Sequence, residues 1–293
     1  MTSTAQLPGR AKWSAYWRLM RFDKPIGILL LLWPTLLALW IAGEGQPSLK
    51  NILIFCTGVV LMRAAGCIMN DVADRNFDPH VERTRARPLA AGELTVREAI
   101  GMFLILMTMA FLLVLLTNAL TVKLAFAGAA LASSYPFFKR VTHFPQVVLG
   151  VSFGWGIPMA FAAETGQVAT VAWWLLAMNI VWSLIYDTLY AMVDREDDIG
   201  IGIKSTAIFF GRHDLLILRV LKVLMLSLLL WIGLMLEFSW PWFIGIGISG
   251  LLFTLQQVWV KDREPAACFK AFQNNNWIGL MLFIGLLGHY WIK

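Results

Sequence analysis

Long apolar runs separated by short polar ones recur from residue 26 almost to the last residue. A run of roughly 17 to 25 apolar residues has the length that crosses a hydrocarbon core as a helix. Nine such runs are expected, over residues 26–43, 51–70, 98–117, 120–138, 145–163, 170–190, 214–236, 241–260 and 275–292. Thr95 and Glu98 have capping-box spacing ahead of the third run. Pro79 disfavours helix at Asp78, and Gly200 and Gly202 follow Asp198, so the second and sixth spans run off into loops.

The charges sort by side. All but three of the 24 Lys and Arg fall in the N-terminus, in alternate loops or on spans near them; the exceptions are Lys50, Lys123 and Lys293. By the positive-inside rule the N-terminus is cytoplasmic and the C-terminus is on the far side. Residues 1–25 are polar and basic with Trp13, Tyr16 and Trp17 interleaved. They read as an interfacial segment rather than a cleaved signal, because no small-residue cleavage site follows the first apolar run. The expected organisation is this segment and one membrane domain over 26–293, with loops 79–96 and 199–213 as cytoplasmic caps.

Composition narrows the class further. With 59% hydrophobic and 14% charged residues and a mean hydropathy of +0.69, the chain is an all-α polytopic membrane protein, not a soluble domain. The net charge of +6 is explained by topology, and no basic tract with interleaved aromatics points to nucleic acid. Cys56, Cys67 and Cys268 lack metal-ligand spacing, as do His80, His143, His213 and His289.

Two acidic stretches stand at the edges of apolar runs: Asn70-Asp71-x-x-Asp74-x-x-x-Asp78, and Asp187-x-x-Tyr190-x-x-x-Asp194-x-x-x-Asp198. At about 100° per residue, Asn70, Asp74 and Asp78 lie within about 80°, with Asp71 at the edge; Asp187, Tyr190, Asp194 and Asp198 also lie within about 80°. Each stretch would then present an oxygen-rich face. Carboxylates are expensive at membrane depth, and packing several in one cavity without cations raises their pKa values. Two facing sets would hold hard divalent cations, with Mg2+ on a diphosphate the best match. Candidate metal ligands are Asn70, Asp71, Asp74, Asp78, Asp194 and Asp198. Arg63, inside an apolar span, and Lys139, Arg140 and Lys204 are the candidate cations for phosphate. Arg83, Arg85 and Arg87 fit either a phosphate-facing loop or the basic loop that topology alone demands. An acidic residue at a helix end also often just faces water. Two clusters on one side of the membrane favour the functional reading.

NDVADRNFD with YDTLYAMVDREDD closely resembles the paired aspartate motifs of the UbiA intramembrane prenyltransferases. ERTRARPLAAG, SYPFFKRVTHFPQVVLG, GIKSTAIFFG and ACFKAFQNNNW extend the likeness toward the branch of that family acting on 4-hydroxybenzoate in ubiquinone biosynthesis. The resemblance implies a nine-helix bundle in the bacterial inner membrane with cytoplasmic cap loops. It implies Mg2+-dependent transfer from a polyprenyl diphosphate to an aromatic ring, with no protein partner specified. Asn70, Asp74 and Asp78 would form one metal and diphosphate face and Asp194 and Asp198 the other, with Arg140 contacting substrate. Asp71, Asp187 and Tyr190 are also motif positions. Pro79 stands where glycine is expected in the family, which affects the loop exit and not the ligands.

Two other readings compete. The same chemistry could serve the acceptor of a haem, menaquinone, homogentisate or chlorophyll pathway. A carboxylate-based ion-coupled transporter would also use acids in a membrane bundle, but it would place them near the midplane rather than at one face.

Overall fold

The structure, a computed structural model, describes residues 9–138 and 140–293. Among the described residues it is all helix and turn, with no strand. A first helix, α1 (Gly9–Leu19), precedes the bundle. The bundle comprises α2 (Ile26–Ala42), α3 (Leu49–Asp74), α4 (Val96–Val114), α5 (Ala119–Phe138), α6 (Pro145–Gly154), α7 (Gly156–Thr165) and α8 (Thr170–Val193). Two short helices follow, α9 (Arg195–Ile201) and α10 (Thr206–Phe210), and then α11 (Asp214–Met235), α12 (Trp240–Trp259) and α13 (Pro265–Ile292).

All nine expected spans coincide with helix among the described residues. Six are long and apolar enough to cross a membrane on those grounds alone; α2 is shorter, and α5 and α13 are not among the six. Two details differ from expectation. The fifth span is broken between α6 and α7 at Trp155. Pro158 has no N–H to give the Gly154 carbonyl one turn back, and its ring crowds that carbonyl. The Trp155 indole then donates to the Leu124 carbonyl on α5 at 2.8 Å. The last helix begins at Pro265, ten residues before the expected apolar run, with proline in its first turn, where the missing N–H costs no hydrogen bond. The Thr95–Glu98 capping box forms as expected.

Three neighbouring asparagines, Asn274, Asn275 and Asn276, tie α13 to the bundle. Successive residues on a helix point about 100° apart, and each asparagine meets a different neighbour. Asn274 accepts from Gln256 on α12 at 3.0 Å, Asn275 from the Trp182 indole on α8 at 3.0 Å, and Asn276 from the Trp33 indole on α2 at 2.9 Å. Lipid tails provide no hydrophobic force between helices, so contacts of this kind and close backbone approach hold the bundle. The α12–α13 pair shows such an approach: a methyl on Gly245 would lie 2.7 Å from the Met281 carbonyl oxygen, and one on Gly285 2.9 Å from that of Pro241.

Helix α8 packs on α2, α6, α7, α11 and α13 and is buried over most of its length, whereas α4 leaves most of its surface exposed. Five of the eight exposed tryptophans among the described residues lie at the end of the bundle away from the acidic stretches: Trp173 and Trp174 open α8, Trp231 lies near the end of α11, Trp240 opens α12 and Trp291 closes α13, while Trp13 and Trp17 lie on α1 and Trp277 midway along α13. This is the placement expected of indoles at a membrane–water interface.

Candidate active site

Both acidic stretches leave their helices where the motifs end. Asp74 is the last residue of α3, and Asp78 begins a 3-10 turn over Asp78–His80, with Pro79 in its first turn. Asp194 follows α8 directly, and Asp198 lies in α9 beyond the break. The continuous helical faces drawn from 100° spacing therefore stop at Asp74 and Asp194, a correction to the sequence reading. The two stretches nonetheless match: in each, one aspartate closes a long helix and the next, four residues on, sits in a short helical turn.

Those turns bring the stretches together. Asn70, Asp74, Asp78, Asp187, Asp194 and Asp198 all line one polar pocket of about 140 Å³, with Tyr190 and Lys204 also at its wall. The pocket adjoins a chamber of about 1360 Å³ lined largely by apolar side chains of α2, α3, α4 and α5. Asn70, Tyr135, Asp187, Tyr190, Arg83 and Arg87 belong to both, so the polar head and apolar body form one continuous space.

Arginines from the loop after the first stretch neutralise the acids. Arg83 Nε donates to Asp194 Oδ1 and Oδ2 at 2.8 and 3.0 Å, and its Nη2 reaches Oδ2 at 2.5 Å. The same guanidinium donates to the Tyr190 hydroxyl and lies 4.6 Å from the centre of that ring. Arg87 Nη1 bridges Asp78, at 3.0 Å to both oxygens, and Asp71 Oδ1 at 3.1 Å. Asp71 is fully buried and also accepts from Arg21 Nη2 at 2.7 and 2.9 Å; it lines the chamber but not the pocket. Burial pushes the Asp78 carboxyl above the ordinary range, and Arg87 pulls against that shift. Burial works against the charge on Arg87, and Asp71 and Asp78 more than offset it.

Arg140 Nη2 donates to the Ala73 carbonyl at 2.5 Å, lies 4.0 Å from Asp74 Oδ1, and stacks on Phe77 and Phe137. Lys204 donates to the Val141 carbonyl at 3.2 Å, tying two loops at the pocket edge. Asp187 takes a side-chain hydrogen bond from Gln146. Arg63 lies in the chamber wall, its Nη1 donating to Cys67 Sγ. Its Nε is buried and has no hydrogen-bond partner among the described residues. Gly27 makes room for it: a methyl there would lie 2.1 Å from Arg63 Nε. Lys139 lies outside the described residues. Arg85 is exposed, 3.9 Å from Glu82, and does not join the site.

Sequence reasoning did not single out Arg21 or Gln146, and it left Arg83 and Arg87 open between a phosphate-facing loop and a purely topological one; the structure turns both inward onto acids. The available signal was the ERTRARP loop next to the first acidic stretch, whose three closely spaced aspartates, Asp71, Asp74 and Asp78, require counter-charge. Among the described residues no three Asp, Glu, His or Cys side chains converge closely enough to hold an ion. The donor chemistry still suits a hard cation, since the acids and Asn70 offer only oxygen-rich groups around one small pocket.

A helical membrane bundle whose apolar chamber ends in a pocket of carboxylates and arginines defines a membrane protein with a site shaped for an amphiphile. The chain belongs to the UbiA prenyltransferase family, whose model matches residues 31–286. It is 56% identical over 281 residues to a 4-hydroxybenzoate octaprenyltransferase of Methylococcus capsulatus, covering 96% of each chain. Its fold matches the apo structure of a UbiA homolog from Aeropyrum pernix with a TM-score of 0.79 at 20% identity, covering 92% of this chain and 98% of that one. A UbiA homolog from Archaeoglobus fulgidus, solved bound to GPP and Mg2+, matches with a TM-score of 0.70 at 18% identity, covering 94% and 99%.

Proposed function

We propose that the chain transfers a polyprenyl group from a polyprenyl diphosphate to 4-hydroxybenzoate, ortho to the phenol, giving 3-polyprenyl-4-hydroxybenzoate for ubiquinone biosynthesis. The observation that carries this reading is the meeting of both acidic stretches in one polar pocket at the end of a large apolar chamber. The name of the Methylococcus capsulatus relative supports the choice of acceptor.

The apolar chamber takes the prenyl tail and keeps water from the allylic carbon, so that a cation formed there meets the ring first. The diphosphate lies in the pocket. Asn70, Asp74, Asp78, Asp194 and Asp198 would hold Mg2+, with Asp71, paired with Arg21, at the adjoining chamber wall. Bound Mg2+ supplies the positive charge that stabilises the departing diphosphate. Arg83 and Arg87, which pair with Asp194 and Asp78, face the same pocket and serve phosphate oxygens there. Arg140 and Lys204 add charge beside them, and Lys139 is a further candidate cation for the diphosphate. Arg63 offers its buried Nε to an anionic group of a substrate at the chamber wall. As the C–O bond breaks, diphosphate leaves with the bonding electrons, the ring carbon bonds to the allylic carbon, and the ring proton passes to the released diphosphate or to a pocket carboxylate.

In this reading residues 1–25 lie at the cytoplasmic interface of a bacterial inner membrane, residues 26–293 form one domain, and loops 79–96 and 199–213 cap the pocket. The deciding experiment gives membranes containing the chain Mg2+, 4-hydroxybenzoate and prenyl diphosphates of several lengths. A prenylated 4-hydroxybenzoate that disappears with chelator and returns with Mg2+ is the expected result. Prenylation of a different aromatic acceptor, with 4-hydroxybenzoate untouched, would replace the acceptor; full turnover in excess chelator would remove the metal.

A further inference from the structure

Neighbouring residues of the second acidic stretch turn opposite ways. Asp194 meets Arg83 in the pocket, while Arg195 reaches out to Asp214 at the start of α11. Asp214 is fully buried. It also accepts from Arg263 Nε at 3.0 and 3.1 Å, from Arg263 Nη2 at 2.8 Å and from its neighbour Leu215 N at 2.6 Å. Arg263 Nη2 extends further to the Arg212 carbonyl at 3.2 Å. Arg263 has φ +59°, a left-handed conformation that disfavours a side chain, and the ion pair is what that backbone position secures. Three segments thus meet on one carboxylate: the start of α9, the turn before α11, and the turn between α12 and α13. Neither Arg195, Asp214 nor Arg263 lines the pocket or the chamber.

Helix α9 is seven residues long and ends at Gly202 with φ +74°. A helix that short does not hold itself in place. Glu196, Asp197 and Ile199 are exposed, which leaves Arg195 as its side-chain fastening to the bundle away from the pocket among the described residues. Arg195 Nε has no hydrogen-bond partner there, so that fastening runs through Nη2 to Asp214.

We propose that Asp214, acting through Arg195, is a positioning residue that sets Asp194 and Asp198 for metal and diphosphate. The inference rests on the prenyl-transfer reading above. Asp194 is joined directly to Arg195, and Asp198 N donates to the Asp194 carbonyl at 2.9 Å, so a shift of Arg195 moves both pocket acids. Arg263 serves the same carboxylate from the opposite side and fastens the α12–α13 turn, not α9.

The full-length chain in detergent is compared with Arg195→Gln, Asp214→Asn, the double variant and Arg263→Gln. Two quantities are read: Mn2+ binding with inorganic diphosphate and no prenyl substrate, and the Mg2+ concentration giving half-maximal turnover. Residues that orient metal ligands typically change metal affinity by about 10- to 100-fold. Arg195→Gln and Asp214→Asn should each weaken Mn2+ binding and raise the Mg2+ requirement about tenfold, with the rate at saturating Mg2+ largely kept. The double variant should be no worse than Asp214→Asn, since the two act as one unit. Arg263→Gln should lower the Tm and leave the metal requirement as it is. Wild-type metal behaviour in Arg195→Gln would overturn the proposal, as would an Arg263→Gln requirement raised equally, which would make Asp214 a general fold anchor. Absence of Mn2+ binding by the wild type would overturn it too. Should Asp214→Asn not fold, Arg195→Gln carries the test. Failure of the transferase reading is distinct: the wild type binds Mn2+ and makes no prenylated product.

Discussion

Arg83 and Asp194 lie far apart in sequence and share a carboxylate–guanidinium pair that Tyr190 completes. Asp74→Ala and Asp194→Ala should each lower turnover by about 100- to 1,000-fold, the range for removing a group that stabilises developing charge, with the protein still inserted in membranes. Most of the activity surviving in Asp194→Ala would make the second stretch structural. Arg83→Gln should weaken prenyl diphosphate binding and leave Asp194 without its partner. Gly27→Ala tests the chamber wall. The Arg63 guanidinium is the end of a flexible side chain, so the helix should fold while that group is displaced. A raised KM for one substrate with an unchanged Tm is the expected outcome. The aspartates were legible in sequence because acids beside apolar runs are rare and these recur at helical spacing. Their arginine partners were not, because Arg21 to Asp71 and Arg83 to Asp194 are contacts between distant segments, and a basic cytoplasmic loop looks the same whether or not it folds inward.

At the scale of elements, α13 depends on three neighbouring asparagines that reach α12, α8 and α2. Asn275→Ala should cost roughly 1 kcal/mol, as expected for one interhelical hydrogen bond in a membrane, measured as a fall in Tm in detergent. A single alanine inserted before Asn274 would turn all three by about 100° and should be far more damaging than any one substitution. Apolar length located the middle of every span, since crossing a membrane imposes it. The two departures arose where length is not the deciding factor. Pro158 breaks the fifth span because of a missing donor, and α13 starts ahead of its apolar run because Pro265 opens a helix whose first turns need no apolar length. The angular faces drawn for the acidic stretches overran for a related reason: regular spacing describes a helix only while it lasts, and although Pro79 marked the end of the first, nothing in the sequence marked the break of the second at Asp194.

For the whole molecule, the transfer chemistry requires both stretches to open on one side. Cysteines placed at His80 and His213, in a background lacking Cys56, Cys67 and Cys268, should resist a membrane-impermeant thiol reagent on intact cells, while one at Lys293 should react. Labelling of His80 and His213 positions from opposite sides would end the shared-pocket mechanism. The exposed tryptophans at the far end fit that arrangement, because they mark the other interface. The pairing of pocket acids with the chain's own arginines bears finally on biogenesis. A newly inserted bundle with several bare carboxylates near the hydrocarbon edge would have to wait for metal before it could close. Here Arg21, Arg83 and Arg87 supply the missing charge from within the same polypeptide. The counter-charge that lets these acids lie close together is therefore made with the chain itself, and the folding bundle carries its own neutralisation.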